Sequence, residues 1–154
     1  GMNPFNFSDS LLGVLAQRLV RCLCTKCRVP MEASEEMLLS LAREHGAAAP
    51  GNADDQHALI AAWRGQHGQD GRITLYRARG CAECSDTGYK GRIGLFELMP
   101  ASSQIKRLII GGTSAAPLFE LAVKEGMQTL KQDGIRKVLN GTTELTQVLA
   151  VCER

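Results

Sequence analysis

Cys24-Thr25-Lys26-Cys27 and, much later in the chain, Cys81-Ala82-Glu83-Cys84 are two C-x-x-C units in a sequence without a secretory signal. Two intervening residues allow both sulfurs of a tight turn to reach one tetrahedral ion, and two such pairs are the ligand set of a structural zinc site. We therefore predict that these four cysteines bind Zn²⁺ and that the rest of the chain brings the two turns together. Because all four positions are filled by protein, no position remains for water or substrate.

Length and composition restrict the class of protein. A chain of 154 residues is enough for one domain with its own core, or for one domain with a small appendage. Six cysteines are too few for a secreted disulfide scaffold, so we expect a reducing, cytoplasmic compartment. The formal net charge of +2, with both signs interspersed, indicates no nucleic-acid partner. The apolar runs are too short for direct membrane insertion.

The N-terminal segment has the apolar spacing of a helix. We expect an extended lead-in over residues 3–7, a cap at Ser8 or Asp9, and a helix that continues to about Leu23. The apolar residues that recur at intervals of three and four are Leu12, Leu15, Ala16, Leu19 and Leu23. The first cysteine pair would then follow the end of a helix, whereas a redox C-x-x-C begins one. This placement favours a metal site over redox chemistry.

The stretch between the two cysteine pairs is predicted to be mainly helical. Ser34 begins a helix that ends at Gly46, a loop follows over residues 47–53, and Asp54 or Asp55 caps a short helix that carries Trp63. We interpret the single tryptophan as a core residue. The histidines do not stand at a ligand spacing from either cysteine pair, and we do not predict them to bind metal: His45, His57 and His67.

The second cysteine pair is predicted to lie in a β-hairpin. Residues 72–77 and 92–98 have the alternation and the β-branched content of strands, and the turn between them contains two glycines. Four thiolates around Zn²⁺ leave a formal charge of −2. We expect backbone N–H groups and the neighbouring basic side chains to compensate it, namely Lys26, Arg28, Lys90 and Arg92.

Four short helices are predicted after Pro100, and we expect them to form a compact bundle. The predicted fold is therefore mainly α, a helical bundle with an inserted β-hairpin zinc knuckle. We divide the chain into residues 1–23 (a helical tail of a larger core), residues 24–99 (a zinc-binding subdomain with a helical insert at about 47–70) and residues 100–154 (the helical bundle). Gly134 indicates a bend or a close helix crossing. Cys22 and Cys152 are interpreted as ordinary thiols, with an intermolecular role for Cys152 as the alternative.

Five segments of the sequence resemble the C-terminal region of the type II secretion and type IV pilus assembly ATPases. They are LGVLAQRLVR at 12–21, LCTKC at 23–27, TLYRARGCAEC at 74–84, TGYKGRIGLFEL at 87–98 and GMQTLKQDG at 126–134. The resemblance implies a cytoplasmic homo-hexameric ATPase that docks on inner-membrane platform proteins and powers protein secretion or pilus assembly. It also implies that Cys24, Cys27, Cys81 and Cys84 are the ligands of the family's zinc site.

Two departures qualify what the resemblance implies. The interval between the cysteine pairs is longer than expected, and the excess maps to residues 47–70. No G-x-x-x-x-G-K-[ST] motif occurs, and residues 111–114 lack its lysine. Without a phosphate-binding loop we predict no catalytic residue and no ATPase activity for this chain alone, while ATP and Mg²⁺ belong to the full-length parent.

Two alternatives remain open, and one residue outside the cysteine pairs is a candidate for contact. A stand-alone, chaperone-like zinc knuckle that binds protein would also use a C-x-x-C turn with following glycines. A nucleic-acid-binding zinc ribbon is the weakest interpretation, because aromatics are scarce and the charges are balanced. Arg92 is the candidate for contact with a nucleotide or a neighbouring subunit, and charge compensation at the thiolates is the competing interpretation.

Overall fold

The computed structural model describes residues 3–46 and 52–152. These residues form seven helices and four strands, with one short 3-10 turn. In chain order the elements are α1 (Pro4–Ser10), β1 (Gly13–Leu23), β2 (Val29–Glu32), α2 (Glu35–His45), α3 (Ala53–His67), β3 (Thr74–Arg77), the 3-10 turn (Ala82–Cys84), β4 (Tyr89–Pro100), α4 (Ser103–Ile110), α5 (Ala115–Lys124), α6 (Leu130–Leu139) and α7 (Leu145–Cys152).

The N-terminal helix is shorter and earlier than predicted, and the segment after it is a strand. Asn3 caps α1 by accepting a hydrogen bond from Phe5 N, and Pro4 occupies the first turn, where its missing N–H costs nothing. The prediction of a helix from Ser8 to Leu23 is therefore wrong. β1 pairs with β4 along almost its whole length, and this pairing supplies backbone hydrogen bonds that a sequence pattern does not reveal.

Two antiparallel sheets of two strands each replace the predicted hairpin. β1 pairs with β4, where Leu15 lies opposite Leu98 and Arg21 opposite Arg92. β2 pairs with β3, where Val29 lies opposite Arg77. The predicted hairpin between residues 72–77 and 92–98 is wrong, because β3 and β4 belong to different sheets. Each C-x-x-C turn consequently carries the chain from one sheet to the other.

The predicted starts of α2 and α4 are confirmed by their capping side chains, whereas α6 begins at Leu130 and not at Met127 as predicted. Ser34 caps α2, Ser102 caps α4 and Thr129 caps α6, each by accepting a backbone N–H with its hydroxyl oxygen. α3 begins at Ala53 rather than at Asp54 or Asp55, since Asn52 supplies the cap. The predicted loop over 47–53 lies mostly outside the described residues.

The helices after Pro100 are divided between two hydrophobic cores, so the predicted single bundle is wrong. The larger core contains buried residues from α2, α3, α6, α7 and the strands, including Trp63, Leu95 and Ile135. The smaller core lies under α4 and α5 around Ile105 and Ala122. Roughly half of the chain is helical, and the two sheets make the fold mixed α and β rather than a helical bundle. Within the described ranges, no helix has the length and apolarity to cross a bilayer.

Candidate metal centre

The four predicted cysteines converge on one point of the structure. Their Sγ atoms all lie within 4.8 Å of one another. The Cys24 and Cys81 sulfurs are 3.9 Å apart, and the Cys84 sulfur is 3.8 Å from those of Cys27 and Cys81. The structure therefore brings together residues that are far apart in sequence.

This arrangement matches a tetrahedral thiolate site. A Zn–S bond of about 2.3 Å in a regular tetrahedron separates neighbouring sulfurs by about 3.8 Å. A disulfide needs a separation of about 2.0 Å, so the cluster consists of free thiols rather than bridges. Four sulfur donors without an oxygen ligand favour a soft or borderline metal such as zinc, or an iron–sulfur centre, over magnesium or calcium.

Tight turns position both cysteine pairs. The first knuckle, residues 24–27, follows β1, and Cys24 O accepts hydrogen bonds from Cys27 N (3.2 Å) and Arg28 N (2.9 Å). Cys24 N donates to Gly88 O at 2.9 Å, which ties this turn to the chain that follows the second knuckle. The predicted position at the end of a helix is wrong, because β1 is a strand. The convergence of both pairs, rather than a helix end, now favours a metal over redox chemistry.

The second knuckle, residues 81–84, needs glycines on both sides because the backbone approaches itself closely. A side chain at Gly88 would place its Cβ 2.6 Å from Ala78 Cβ, and one at Gly80 would lie 2.7 Å from Asp86 O. Both glycines also have a positive φ, which side-chain-bearing residues rarely adopt. These two positions fix the loop that presents the Cys81 and Cys84 sulfurs.

Backbone N–H groups point at the sulfurs, as predicted. Cys81 N and Gly88 N each donate to Cys84 Sγ at 3.2 Å, and Gly80 N donates to Cys27 Sγ at 3.4 Å. Burial raises the pKa of the Cys84 thiol, but hydrogen bonds from Cys81 N and Gly88 N, together with those of the Cys81 and Cys27 thiols, outweigh burial and lower the pKa to about 6. The pKa of the Cys27 thiol is raised to about 11 by burial, with the other thiols of the cluster acting in the same direction. A cation would be needed for all four to ionise together.

The basic side chains near the knuckles are engaged elsewhere or exposed. Arg28 donates to Gly141 O at 2.6 Å, and Lys90 pairs with Glu83 at 3.3 Å. Lys26 and Arg92 are exposed. Among the described residues, the hydrogen bonds from nitrogen to the cysteine sulfurs come from the backbone.

The histidines, Cys22 and Cys152 lie outside the four-cysteine cluster. His45 packs edge-on against Trp63, with ring centroids 5.6 Å apart, and partial burial lowers its pKa. Cys22 and Cys152 are half-buried, and burial raises the pKa of both thiols. A raised pKa keeps a thiol protonated and poorly nucleophilic. Residues 141–144 lie against both knuckles, whereas the sequence predicts there only a helix end at Gly141 and a cap at Thr142 or Thr143, and nothing in this pattern indicates contact with the cysteine turns.

Comparison with known proteins identifies the family to which this chain belongs. Residues 1–150 match the profile of the family described as "Type II/IV secretion system protein". The chain belongs to this family. The predicted resemblance is thereby confirmed across nearly the whole chain, including both knuckles.

Curated relatives of this secretion family match at similar levels of identity. The Type IV pilus assembly ATPase PilB of Thermus thermophilus is 38% identical over 150 residues, which cover 97% of this chain and 14% of the relative. PilB of Myxococcus xanthus is 38% identical over 149 residues, covering 97% and 23%. The Type II secretion system protein E of Pseudomonas aeruginosa is 38% identical over 151 residues, covering 98% and 25%. The chain thus spans a quarter or less of the length of these relatives.

Proposed function

We propose that this chain is the zinc-stabilised C-terminal part of an ATPase that powers type II secretion or type IV pilus assembly. The observation that carries the proposal is the convergence of four cysteine sulfurs, at tetrahedral spacing, in a member of this family. Residues 1–23 would be the tail of the ATPase core, residues 24–99 the zinc-binding subdomain with an insert at about 47–70, and residues 100–154 the C-terminal helices.

The ion in this proposal is structural. Cys24, Cys27, Cys81 and Cys84 would hold Zn²⁺, which would neutralise the thiolates and join the two knuckles. Structural zinc sites in small domains bind with apparent free energies of about 10–16 kcal/mol, which is as large as the whole net stability of a typical domain. The four sulfurs leave no position for a substrate, so the site would brace the fold rather than catalyse a reaction.

Catalysis belongs to the parent protein in this proposal. This chain contains no G-x-x-x-x-G-K-[ST] motif, so ATP and Mg²⁺ would bind elsewhere in the full-length ATPase. The chain would contact neighbouring subunits of a cytoplasmic homo-hexamer and platform proteins of the inner membrane. We expect no phosphate release from ATP and Mg²⁺ by this chain alone, and turnover in a phosphate-release assay would refute that expectation.

Arg92 is a candidate contact for a nucleotide or a neighbouring subunit. It is exposed and lies directly opposite Arg21 in the pairing of β1 with β4. Like charges that face each other across a strand pair are destabilising, and an anionic partner would relieve this repulsion. Arg21 also stacks over the Tyr89 ring at 4.3 Å, which leaves Arg92 the freer of the two to reach outward.

Elemental analysis tests the metal site directly. We expect one zinc ion for each purified chain, and loss of that zinc when Cys84 is changed to serine. Cys22→Ser is the matched control, because it removes a half-buried cysteine that lies outside the cluster and should leave the zinc content unchanged. A wild-type chain without zinc that also fails to take it up from solution would overturn the proposal.

A further inference from the structure

The turn between α6 and α7 lies against both knuckles. It consists of Gly141, Thr142, Thr143 and Glu144, and we call residues 141–144 the knuckle clamp. None of the four belongs to the sulfur cluster. Each nevertheless makes a hydrogen bond to the chain just before or just after a cysteine pair.

Three clamp residues hold the flanks of the first knuckle. Leu23 N, immediately before Cys24, donates to Thr142 O at 2.8 Å. Thr143 is fully buried, and its hydroxyl donates to Arg21 O at 2.8 Å. On the other side of the knuckle, the Arg28 guanidinium donates to Gly141 O at 2.6 Å. The clamp therefore fixes where the chain enters and leaves the turn that carries Cys24 and Cys27.

Glu144 holds the flanks of the second knuckle with one carboxylate oxygen. Its Oε1 accepts a hydrogen bond from Ala78 N at 2.7 Å, and Ala78 precedes the knuckle. The same oxygen accepts from the Tyr89 hydroxyl at 2.9 Å, and Tyr89 follows the knuckle. Hydrogen bonds to a charged acceptor are stronger than neutral ones, so this carboxylate is an effective tie between the two flanks.

Gly141 allows the clamp to lie close to Arg28, which follows the first knuckle. Its φ is +75°, and a Cβ at this position would lie 2.6 Å from the Tyr76 ring and 3.1 Å from an Arg28 guanidinium nitrogen. The Arg28 guanidinium stacks over that ring at 4.1 Å. Any side chain at 141 would separate this stack from the clamp.

We propose that the knuckle clamp positions the two cysteine turns for metal binding, with Glu144 as its principal positioning residue; this rests on the zinc site of the proposed function. Four sulfurs bind one ion tightly only when their turns are already held at the right separation, because otherwise part of the binding free energy is spent on ordering them. Groups that orient ligands without touching the metal commonly change metal affinity by about 10- to 100-fold when removed.

The test compares zinc affinity among variants that keep all four cysteines. Glu144→Ala removes both hydrogen bonds, whereas Glu144→Gln keeps an acceptor oxygen of the same shape. Glu120→Ala is the surface control, since Glu120 is exposed on α5. Ile60→Ala, in the buried core on α3, is the control for a general loss of stability. Zinc affinity is measured by competition with a chromophoric chelator, and the Co²⁺ absorption spectrum reports whether four thiolates still bind the metal.

We expect Glu144→Ala to bind zinc about 10- to 100-fold more weakly while its Co²⁺ complex keeps the tetrathiolate spectrum. Glu144→Gln should restore most of the affinity, and both controls should remain near wild type. Wild-type affinity in Glu144→Ala, or an equal loss in Ile60→Ala, would overturn the clamp and leave the zinc site standing. A wild-type chain that binds neither zinc nor cobalt would overturn the proposed function itself.

Discussion

At the scale of single residues, the Asp133 carboxylate accepts more hydrogen bonds than any other carboxylate in the described part of the chain. Its side chain is only 6% exposed, and its Oδ2 accepts from Phe96 N at 2.9 Å and from Lys137 Nζ at 2.6 Å. Its Oδ1 accepts from Arg136 at 2.6 Å. The carboxylate thus joins α6 to the edge of β4, and it carries the charge that compensates two cations on its own helix.

The surroundings of Asp133 predict how its contribution varies with pH. Burial raises the pKa of Asp133, but the hydrogen bonds from Lys137, Phe96 N and Arg136 outweigh it and hold the pKa below its ordinary value. A carboxyl whose pKa is lower in the folded state stabilises the fold fully above its unfolded pKa of about 3.9, and loses that contribution as pH falls through the folded pKa. We expect Asp133→Asn to cost about 2 kcal/mol at neutral pH.

Urea unfolding from pH 7 down to about pH 3 measures this dependence, since the unfolded carboxyl begins to protonate near pH 4. The difference in unfolding free energy between wild type and Asp133→Asn should narrow at the acid end. Asp9→Asn, at an exposed position on α1, is the control and should show little difference at any pH. A cost at Asp133 that stays constant across the range would show that its charge is not the stabilising feature.

At the scale of elements, the crossing of α6 and α7 depends on a glycine. A Cβ at Gly134 would lie 2.4 Å from Val148 Cγ1 and 3.2 Å from Leu95 Cδ1, so the two helices meet where a side chain has no room. Gly134→Ala should therefore destabilise the protein by about 1–3 kcal/mol through overpacking, although alanine favours a helix.

Gly65 in α3 provides the matched control. A Cβ at this position would meet nothing within 4 Å, and the residue lies within the helix. Gly65→Ala should accordingly raise the free energy of unfolding by about 0.4–1 kcal/mol. Thermal melting of both variants distinguishes the two effects, because equal shifts of the same sign would mean that the helix crossing does not limit the size of residue 134.

The same elements explain which parts of the fold the sequence predicted. A cap such as Ser34 acts within one turn of its own helix, so a local pattern is enough to find it. β1 was mistaken for a helix because its apolar residues occupy both faces. Val20 is buried in the core, whereas Leu15 is 61% exposed on the opposite face, and such a strand gives spacings of three and four residues.

The candidate site also has one part that could be predicted from the sequence and one part that could not. The four cysteines were predictable because the spacing within each pair follows from the geometry of a tetrahedral ion. The knuckle clamp was not, since Glu144 meets Ala78 and Tyr89 only after the two sheets and the helices have packed. Distant partners of this kind leave no periodic signal in one sequence.

At the scale of the whole molecule, the knuckles connect the two sheets and lie outside the smaller core. The first knuckle joins β1 to β2, and the second joins β3 to β4. The larger core contains buried residues from both sheets, while the smaller core is formed around α4 and α5. Loss of a metal should therefore loosen the knuckles before it affects the smaller core around α4 and α5.

Exposed apolar residues are also concentrated in one part of the molecule. Of the nine large hydrophobic residues exposed in the described part of the chain, eight lie on α1, on or next to β1, or on β4. On the outer face of the β1–β4 sheet, Leu15 lies opposite Leu98, and Leu19 and Phe96 extend the patch. Contiguous apolar patches of this kind commonly mark interaction surfaces.

Metal removal provides a test at this scale through hydrogen exchange. Treatment with a zinc chelator should accelerate exchange at the amides that connect the clamp to the knuckles, which are Leu23 N and Ala78 N. Gly88 N, which donates to the Cys84 sulfur, should also exchange faster. Amides in α4 and α5 should keep their protection, because their core does not include the knuckles. Local opening of this kind costs less free energy than global unfolding and is resolved residue by residue.

Two comparisons make the exchange experiment decisive. Adding zinc back should restore slow exchange at Leu23, Ala78 and Gly88, and the variant Cys84→Ser should exchange rapidly at these amides with or without chelator. If chelation instead accelerated exchange equally in α4, α5 and the knuckles, the metal would be stabilising the chain as one cooperative unit. If it changed nothing, the hydrogen bonds of the clamp alone would hold the two cysteine turns together, and the ion would not contribute to the stability of this fold.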